Sequence, residues 1–297
     1  MRVLCVAKSV PMISLLLVAV LMVGCSAHKY VANVDYPPLP ADLVYSGTLE
    51  EQVYGCSLDG PTQRRMLVYL PKGYYECDES YPVLYLLHGA RGNELSWIEK
   101  GDLLHNIDSL TAAGSMREMI VVLPNVNQYD DDRDFCKSRI KGAVESLFET
   151  DGMVEASFVN DVVGAVDSLY RTLPDKQHRA IAGLSIGAMQ AMHISANAPE
   201  VFGYVGAFSA MVHPVLRRSE CSAFYRGFKR KLKLQFATPP ALYSVMIGRT
   251  DFYYPRMRCY VRYLERCEYP YQLTITDGGH QWYNWTEFAN VFMQQLF

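Results

Sequence analysis

Residues 179–198 read RAIAGLSIGAMQAMHISANA. Arg179 to Leu184 is a largely apolar run of strand length, of the kind buried on both faces of a sheet. It ends in Gly183-Leu184-Ser185-Ile186-Gly187 and passes directly into an Ala- and Met-rich stretch, Ile186 to Ala198, that reads as a helix. A serine at such a strand–turn–helix junction sits in a strained backbone conformation, and the residues two before and two after it must be small to avoid collision. Gly183 and Gly187 meet that demand, with Ala188 small beside them. The turn also sets Ser185 at the positive end of a helix, where a developing anion is favoured.

The same strand signal recurs on either side. Gly47 to Gly60 and Gln63 to Leu70 read as a strand pair. Tyr81 to Leu87 (YPVLYLL), Met119 to Leu123 (MIVVL), Tyr204 to Phe208 and Leu242 to Ile247 read as buried strands, and Tyr271 to Ile275 as a late one. Helical stretches lie at Ser157 to Arg171 and Arg256 to Arg266. Strands alternating with helices predict an α/β fold with a mostly parallel sheet covered on both faces. No internal repeat interrupts this order, so residues 45–297 read as a single domain.

A serine is a weak nucleophile until a base takes its proton and an acid orients the base. In chains with this serine turn the three follow in the order Ser, Asp or Glu, His. Three histidines lie within or after the helix. His193, two turns along it, reads as a packed or surface side chain; His213 precedes Pro214 at a strand exit and stays a second candidate. His280 is preferred, because Asp277-Gly278-Gly279-His280 is a loop following a late strand. For the acid, Asp251 leaves the strand Leu242 to Ile247, at the strand edge where sites form in open α/β sheets. Asp277 competes, but three residues from His280 it reads as a turn former. An oxyanion would be met by the N–H of Ile186 and by one from the loop Leu87-His88-Gly89-Ala90-Arg91-Gly92, with Ala90 the expected donor. His88 then has a structural part within that loop. Phe252, Tyr253 and Tyr254 follow the acid, and Trp282, Tyr283 and Trp285 follow the base. These rings could stack on a phenolic acyl group or a sugar, or simply pack the C-terminal helix; Tyr253 and Trp282 are the candidate substrate contacts.

The 297 residues are half hydrophobic, with 28 Lys+Arg against 31 Asp+Glu and 21 Tyr. A formal charge of −3 gives no reason to expect a nucleic-acid partner. The start differs from the rest: Arg2 and Lys8 precede Val10 to Gly24, an apolar run broken only by Ser14 and too short for a comfortable membrane span. It ends in Leu21-Met22-Val23-Gly24-Cys25, which resembles a bacterial lipobox. The expectation is a signal over residues 1–24, a lipidated Cys25, and a tether over 25–44 carrying Pro37, Pro38 and Pro40, placing an extracytoplasmic protein on a membrane. Ordinary signal cleavage near Ala27 is the alternative. Six cysteines would remain in an oxidising compartment: Cys56, Cys77, Cys136, Cys221, Cys259 and Cys267. Fifteen pairings are open to them, although Cys259 and Cys267, eight residues apart on one expected helix, are too distant to pair with each other. No CxxC or HExxH occurs, and neither a metal nor a cofactor is expected.

Two further stretches stand out. Asp130, Asp131, Asp132 and Asp134 could form a calcium loop, but without EF-hand spacing they read as a solvated loop. Arg226, Lys229, Arg230, Lys231 and Lys233 fall where a lid would be inserted. They could meet an acidic substrate or an anionic membrane, or form only a charged helix face, which is the preferred reading.

Taken together, CSLDGPTQRRMLVYLPKGY, YPVLYLLHGARGNELSW, AIAGLSIGAMQA, IGRTDF and DGGHQWYNW, in that order, resemble the esterase D and feruloyl-esterase-like α/β-hydrolases, the group holding carbohydrate esterase family 1. The resemblance implies an α/β-hydrolase fold, a Ser185–Asp251–His280 triad, and an oxyanion hole at Ile186 and Ala90. It also implies cleavage of feruloyl, acetyl or simpler esters through an acyl-enzyme. An acyltransferase using the same triad, or a non-catalytic glycan-binding surface lipoprotein, are the alternatives. The oligomeric state stays open.

Overall fold

The computed structural model describes residues 39, 43–55, 63–127, 152–212 and 224–297. The expected signal, Cys25, Cys56, Cys136, Cys221, His213 and the acidic run at 130–134 lie outside them.

Eight strands form one sheet: β1 (Thr48–Gly55), β2 (Gln63–Leu70), β3 (Val83–Leu87), β4 (Ile120–Pro124), β5 (Arg179–Leu184), β6 (Tyr204–Phe208), β7 (Leu242–Gly248) and β8 (Gln272–Thr276). Their order across the sheet is β1-β2-β4-β3-β5-β6-β7-β8. β1, β2 and β4 pair antiparallel, and every pair from β4 to β8 is parallel. β3, β4 and β5 are buried along their whole length, as runs without alternation require when both faces are covered.

The helices are α1 (Ser96–Gly101), α2 (Leu103–Ala112), α3 (Met153–Phe158), α4 (Gly164–Leu169), α5 (Ile186–Asn197), α6 (Phe228–Gln235), α7 (Tyr254–Arg266) and α8 (Trp282–Met293). On one face Val83, Tyr85, Leu87, Ile181, Val205 and Val245 pack beneath α3, α5 and α7, through side chains such as Phe158, Met192 and Val261. Leu84, Leu86, Ala182, Phe208 and Met246 turn to the other face and meet α1, α2 and α8 through Trp97, Leu104, Phe288 and Phe292. The period-two alternation of side chains along each strand is what splits one apolar run between two cores.

Most expected elements lie within a few residues of their sequence positions, but two differences carry a cause. The helix expected from Ser157 begins at Met153, because Gly152 at φ 83° makes the turn into it. It then passes through a π-helical stretch, Val159–Val163, before α4. Helices α1 and α2, between β3 and β4, come in addition to those expected. Cys77, Cys259 and Cys267 are free thiols, Cys259 on α7 and Cys267 just past its end. Among the described residues no helix is long and apolar enough to cross a membrane, and no group of His, Cys, Asp and Glu is arranged to hold a metal ion.

Candidate active site

Ser185 joins β5 to α5 at φ 56°, ψ −113°, a conformation that L-residues rarely adopt. Its N–H donates to Phe208 O (2.8 Å), and its own carbonyl accepts from Met189 N–H (3.2 Å) and Met211 N–H (3.3 Å), so β6 and the first turn of α5 brace the strained residue. The two glycines are demanded by contact with backbone, not by freedom alone. A Cβ on Gly187 would lie 2.1 Å from His88 O, and one on Gly183 would lie 2.7 Å from Gly187 C. Gly187→Ala is therefore expected to cost about 3 kcal/mol or more, since no rotamer change can relieve a clash between backbones. The midpoint of urea unfolding measures it.

Asp251 follows β7, and His280 follows β8. The two loops are tied together: Arg249 N–H donates to Thr276 O (2.8 Å) and Thr250 N–H to Gly278 O (2.9 Å). Asp251 is almost wholly buried, and its Oδ1 accepts from Tyr253 N–H at 2.8 Å. Its Oδ2 accepts from His280 Nδ1–H at 2.9 Å, because an ionised carboxylate can only accept. That leaves His280 Nε2 to accept the Ser185 hydroxyl at 3.0 Å. Three side chains separated by 29 and 95 positions in sequence thus make one continuous relay. Asp277, the competing acid, is fully exposed at its side chain and lies 3.7 Å from Arg249.

The imidazole of His280 is held by rings. Phe252 (4.3 Å between centroids), Tyr253 (5.3 Å) and Trp285 (4.8 Å) surround it. Burial pushes the Tyr253 phenol up to about 12, so it stays protonated at neutral pH. Of the two rings singled out in the sequence, Tyr253 therefore meets His280. Trp282 stands further out, half-buried, with its ring on Trp97 (5.3 Å) and Trp285 (5.4 Å). Asn284, not singled out in the sequence, is fully buried on α8 and donates from Nδ2 to Gly279 O at 2.8 Å, propping the loop that presents His280. A polar residue amid the aromatics of WYNWTEF was the available signal.

The loop after β3 packs beside the serine: a Cβ on Gly89 would lie 3.5 Å from Ser185 Cβ, and Ala90 packs on the cluster holding Ile186, Met189, Met211 and Tyr225. As the first helical residue, Ile186 has an N–H without an intrahelical acceptor. His88 fixes the loop from behind. Val126 N–H donates to its Nε2 (3.1 Å), so its proton sits on Nδ1 and is donated to Gly89 O (2.8 Å). Gly92 N–H donates to the same carbonyl (3.0 Å). Because a trans peptide is planar, holding the Gly89 carbonyl inward turns the Ala90 N–H outward from the loop.

Beneath the loop, Glu94 accepts from Arg65 Nε (2.6 Å) and Asn125 Nδ2 (2.9 Å), a buried ionic set that sequence analysis did not find. Burial pushes the Glu94 carboxyl up, against the pull of Arg65. Asn127 Nδ2 closes the set by donating to Gly92 O at 2.8 Å.

Burial holds the His88 imidazole down to about 4, against an ordinary value of 6.5. The unfolded chain therefore binds a proton between these values that the folded chain refuses. Stability from this group is present above about pH 6.5 and is lost as pH falls towards 4, by on the order of 3 kcal/mol in all. Urea unfolding at about pH 7 and pH 4.5 is expected to show this loss, and to show less of it in His88→Gln.

A family model described as "Putative esterase" matches residues 59–275, nearly three-quarters of the chain. The chain belongs to this esterase family. Among curated relatives, this chain is 36% identical over 146 residues to the Endo-1,4-beta-xylanase/feruloyl esterase of Xylanibacter ruminicola, covering 48% of this chain and 19% of that protein. It is 24% identical over 194 residues to Endo-1,4-beta-xylanase Y of Acetivibrio thermocellus, covering 60% of this chain and 16% of the relative. The chain thus spans less than a fifth of the length of these relatives. Among solved structures, a ferulic acid esterase superposes with a TM-score of 0.66 at 26% identity, covering 84% of this chain and 98% of that one. The mostly parallel sheet with helices on both faces is the α/β-hydrolase fold.

Proposed function

We propose that this chain is a serine carboxylic ester hydrolase acting through an acyl-enzyme, with Ser185 as nucleophile, His280 as general base and acid, and Asp251 as the orienting carboxylate. The observation that carries the reading is the 2.9 Å and 3.0 Å relay from a buried carboxylate through His280 to a serine held at positive φ. His280 Nε2 takes the hydroxyl proton as Ser185 Oγ attacks the ester carbonyl, and the imidazolium is steadied by Asp251. The oxyanion is met by the N–H groups of Ile186 and Ala90, each worth on the order of 3 kcal/mol in the transition state. The tetrahedral adduct collapses, its carbon–alkoxide bond breaks, and the alcohol departs with the proton from His280. Water, deprotonated by His280, then attacks the acyl carbonyl; the acyl–serine bond breaks, Ser185 Oγ regains a proton from His280, and the acid is released.

We infer that the acyl group is feruloyl or acetyl and the alcohol a carbohydrate. The relatives' names, feruloyl esterase and xylanase, support the feruloyl and carbohydrate parts, as do the rings of Phe252 and Tyr253 beside His280, Phe252 being 42% exposed. Tyr253 would line the acyl side, while Trp282 would buttress α8. A panel of methyl ferulate, acetylated xylan and short p-nitrophenyl esters tests it. Release of ferulate or acetate that is abolished by Ser185→Ala supports the reading, and inertness towards all three refutes it.

We also propose that Cys25 is lipidated and tethers the esterase to the outside of a membrane, on the strength of the basic start, the apolar run and Leu21 to Cys25. Cys25→Ala should move the protein from the membrane to the soluble fraction.

A further inference from the structure

Two neighbouring helices carry a charge that the ester chemistry does not use. From Phe224 to Arg266 the sequence has ten Lys and Arg against two Asp and Glu, in a chain whose net charge is −3. Eight of these ten cations lie on α6 and α7, which are side by side: Phe228 stacks on Tyr260 (6.3 Å), the Lys229 ammonium lies 5.2 Å over the Tyr263 ring, and Phe236 stacks on Tyr269 (4.4 Å). The apolar sides face inward through Leu232, Met257, Val261 and Leu264. Lys229, Arg230 and Lys233 stand exposed on α6, with Arg262 and Arg266 on α7, at helical spacing. No ion pair among the described residues engages any of the five.

Both helices begin at the active site. Phe224 and Tyr225, leading into α6, pack with Ile186, Met189 and Met211. Tyr253, at the start of α7, lies against His280, and the exposed Arg256 is near enough to act electrostatically on its phenol. A cationic face therefore runs outward from the mouth of the ester site.

We propose that this face binds an acidic polysaccharide, a chain of sugars bearing carboxylates, and so presents an ester on that same chain to Ser185. The inference deepens the proposed reading of a carbohydrate ester hydrolase and rests on it. Charge complementarity selects a polyanion, and the start of α6 and α7 beside Ile186 and His280 selects one that carries the substrate. An anionic membrane is the poorer fit. Docking there uses apolar side chains that sink among the lipids, and Leu234 is the sole large apolar residue strongly exposed on the described parts of α6 and α7.

The test uses the full chain carrying Cys25→Ala, which removes the proposed lipid. Its binding to unesterified polygalacturonate and to neutral arabinoxylan is measured by calorimetry, below and above the salt at which charges are screened within about 10 Å. The expected result is at least tenfold tighter binding to polygalacturonate at low salt, lost at high salt. A further variant with Lys229→Gln, Arg230→Gln, Lys233→Gln and Arg262→Gln should lose about tenfold of that affinity, four surface pairs each contributing modestly. It should still turn over p-nitrophenyl acetate like the parent, which shows that it is folded. Equal binding to the two polymers, unchanged affinity in the fourfold variant, or tighter binding to vesicles containing phosphatidylglycerol than to polygalacturonate would overturn the inference. Because the probe carries no ester, a chain that hydrolyses small esters yet ignores polygalacturonate sinks this inference alone. A chain that hydrolyses none sinks the serine-esterase reading.

Discussion

Ser185→Ala is expected to lower kcat for p-nitrophenyl acetate by about 10⁴-fold or more, leaving only what an oxyanion hole and binding can supply. The substitution removes one atom from a residue whose backbone is fixed from outside, by Phe208 O, Met189 N–H and Met211 N–H. The fold should therefore persist, and near-identical thermal unfolding of the two proteins is part of the prediction. Loss of turnover with intact folding separates removal of the nucleophile from collapse of the turn. Nothing else in the relay can replace the missing oxygen, because His280 Nε2 is left facing the methyl group.

Asp251→Asn should cost nearly as much, on the order of 10⁴-fold in kcat, through a different cause. Asp251 accepts two N–H groups, from Tyr253 and His280, and is almost wholly buried. An amide in its place keeps the shape but can turn an N–H towards His280 Nδ1. The imidazole proton then moves to Nε2, where it points at Ser185 and can no longer accept the hydroxyl. Asp277→Asn is the matched control. That carboxylate is exposed and 3.7 Å from Arg249, so kcat should stay within about twofold. Steady-state kinetics on the three proteins decides which acid orients the base, and a large loss in the Asp277 variant would count against Asp251.

Sequence carried the parts of the site that depend on local chemistry. A serine flanked by glycines at a strand–helix junction has few alternatives, and the glycines prove to be fixed by His88 O and Leu87 O at distances no Cβ could tolerate. Asp251 and His280 were legible because each follows an apolar strand into a short loop, and chain order then assigns them. The supports were not legible. Asn284 holds the His280 loop, and Glu94 with Arg65 underpins the Gly89–Gly92 loop, through contacts between residues 5 to 31 positions apart whose meaning exists only after folding. His88 looked like a loop histidine, but its two opposite hydrogen bonds, one of them to Val126, depend on the parallel pairing of β3 with β4. The place of Trp282 was likewise not legible: adjacency to His280 in sequence does not bring its ring to the imidazole, because α8 turns it towards Trp97.

The basic run at 226–233 shows the complementary limit. Its charge was plain in the sequence, and so was its position between β6 and β7. What could not be read was that Arg262 and Arg266 of α7 lie beside it, since that depends on Phe228, Tyr260, Phe236 and Tyr269 stacking across the two helices.

In the proposed reaction an acyl group passes through Ser185. The decisive measurement is brief mixing of the protein with p-nitrophenyl acetate at acid pH, where general-base deacylation slows, followed by quenching, digestion and mass spectrometry. One acetyl group is expected on the peptide that contains Ser185, formed in step with a burst of p-nitrophenol and absent from Ser185→Ala. Steady release of p-nitrophenol with no acetyl on that peptide, or the same burst from the alanine variant, would contradict it.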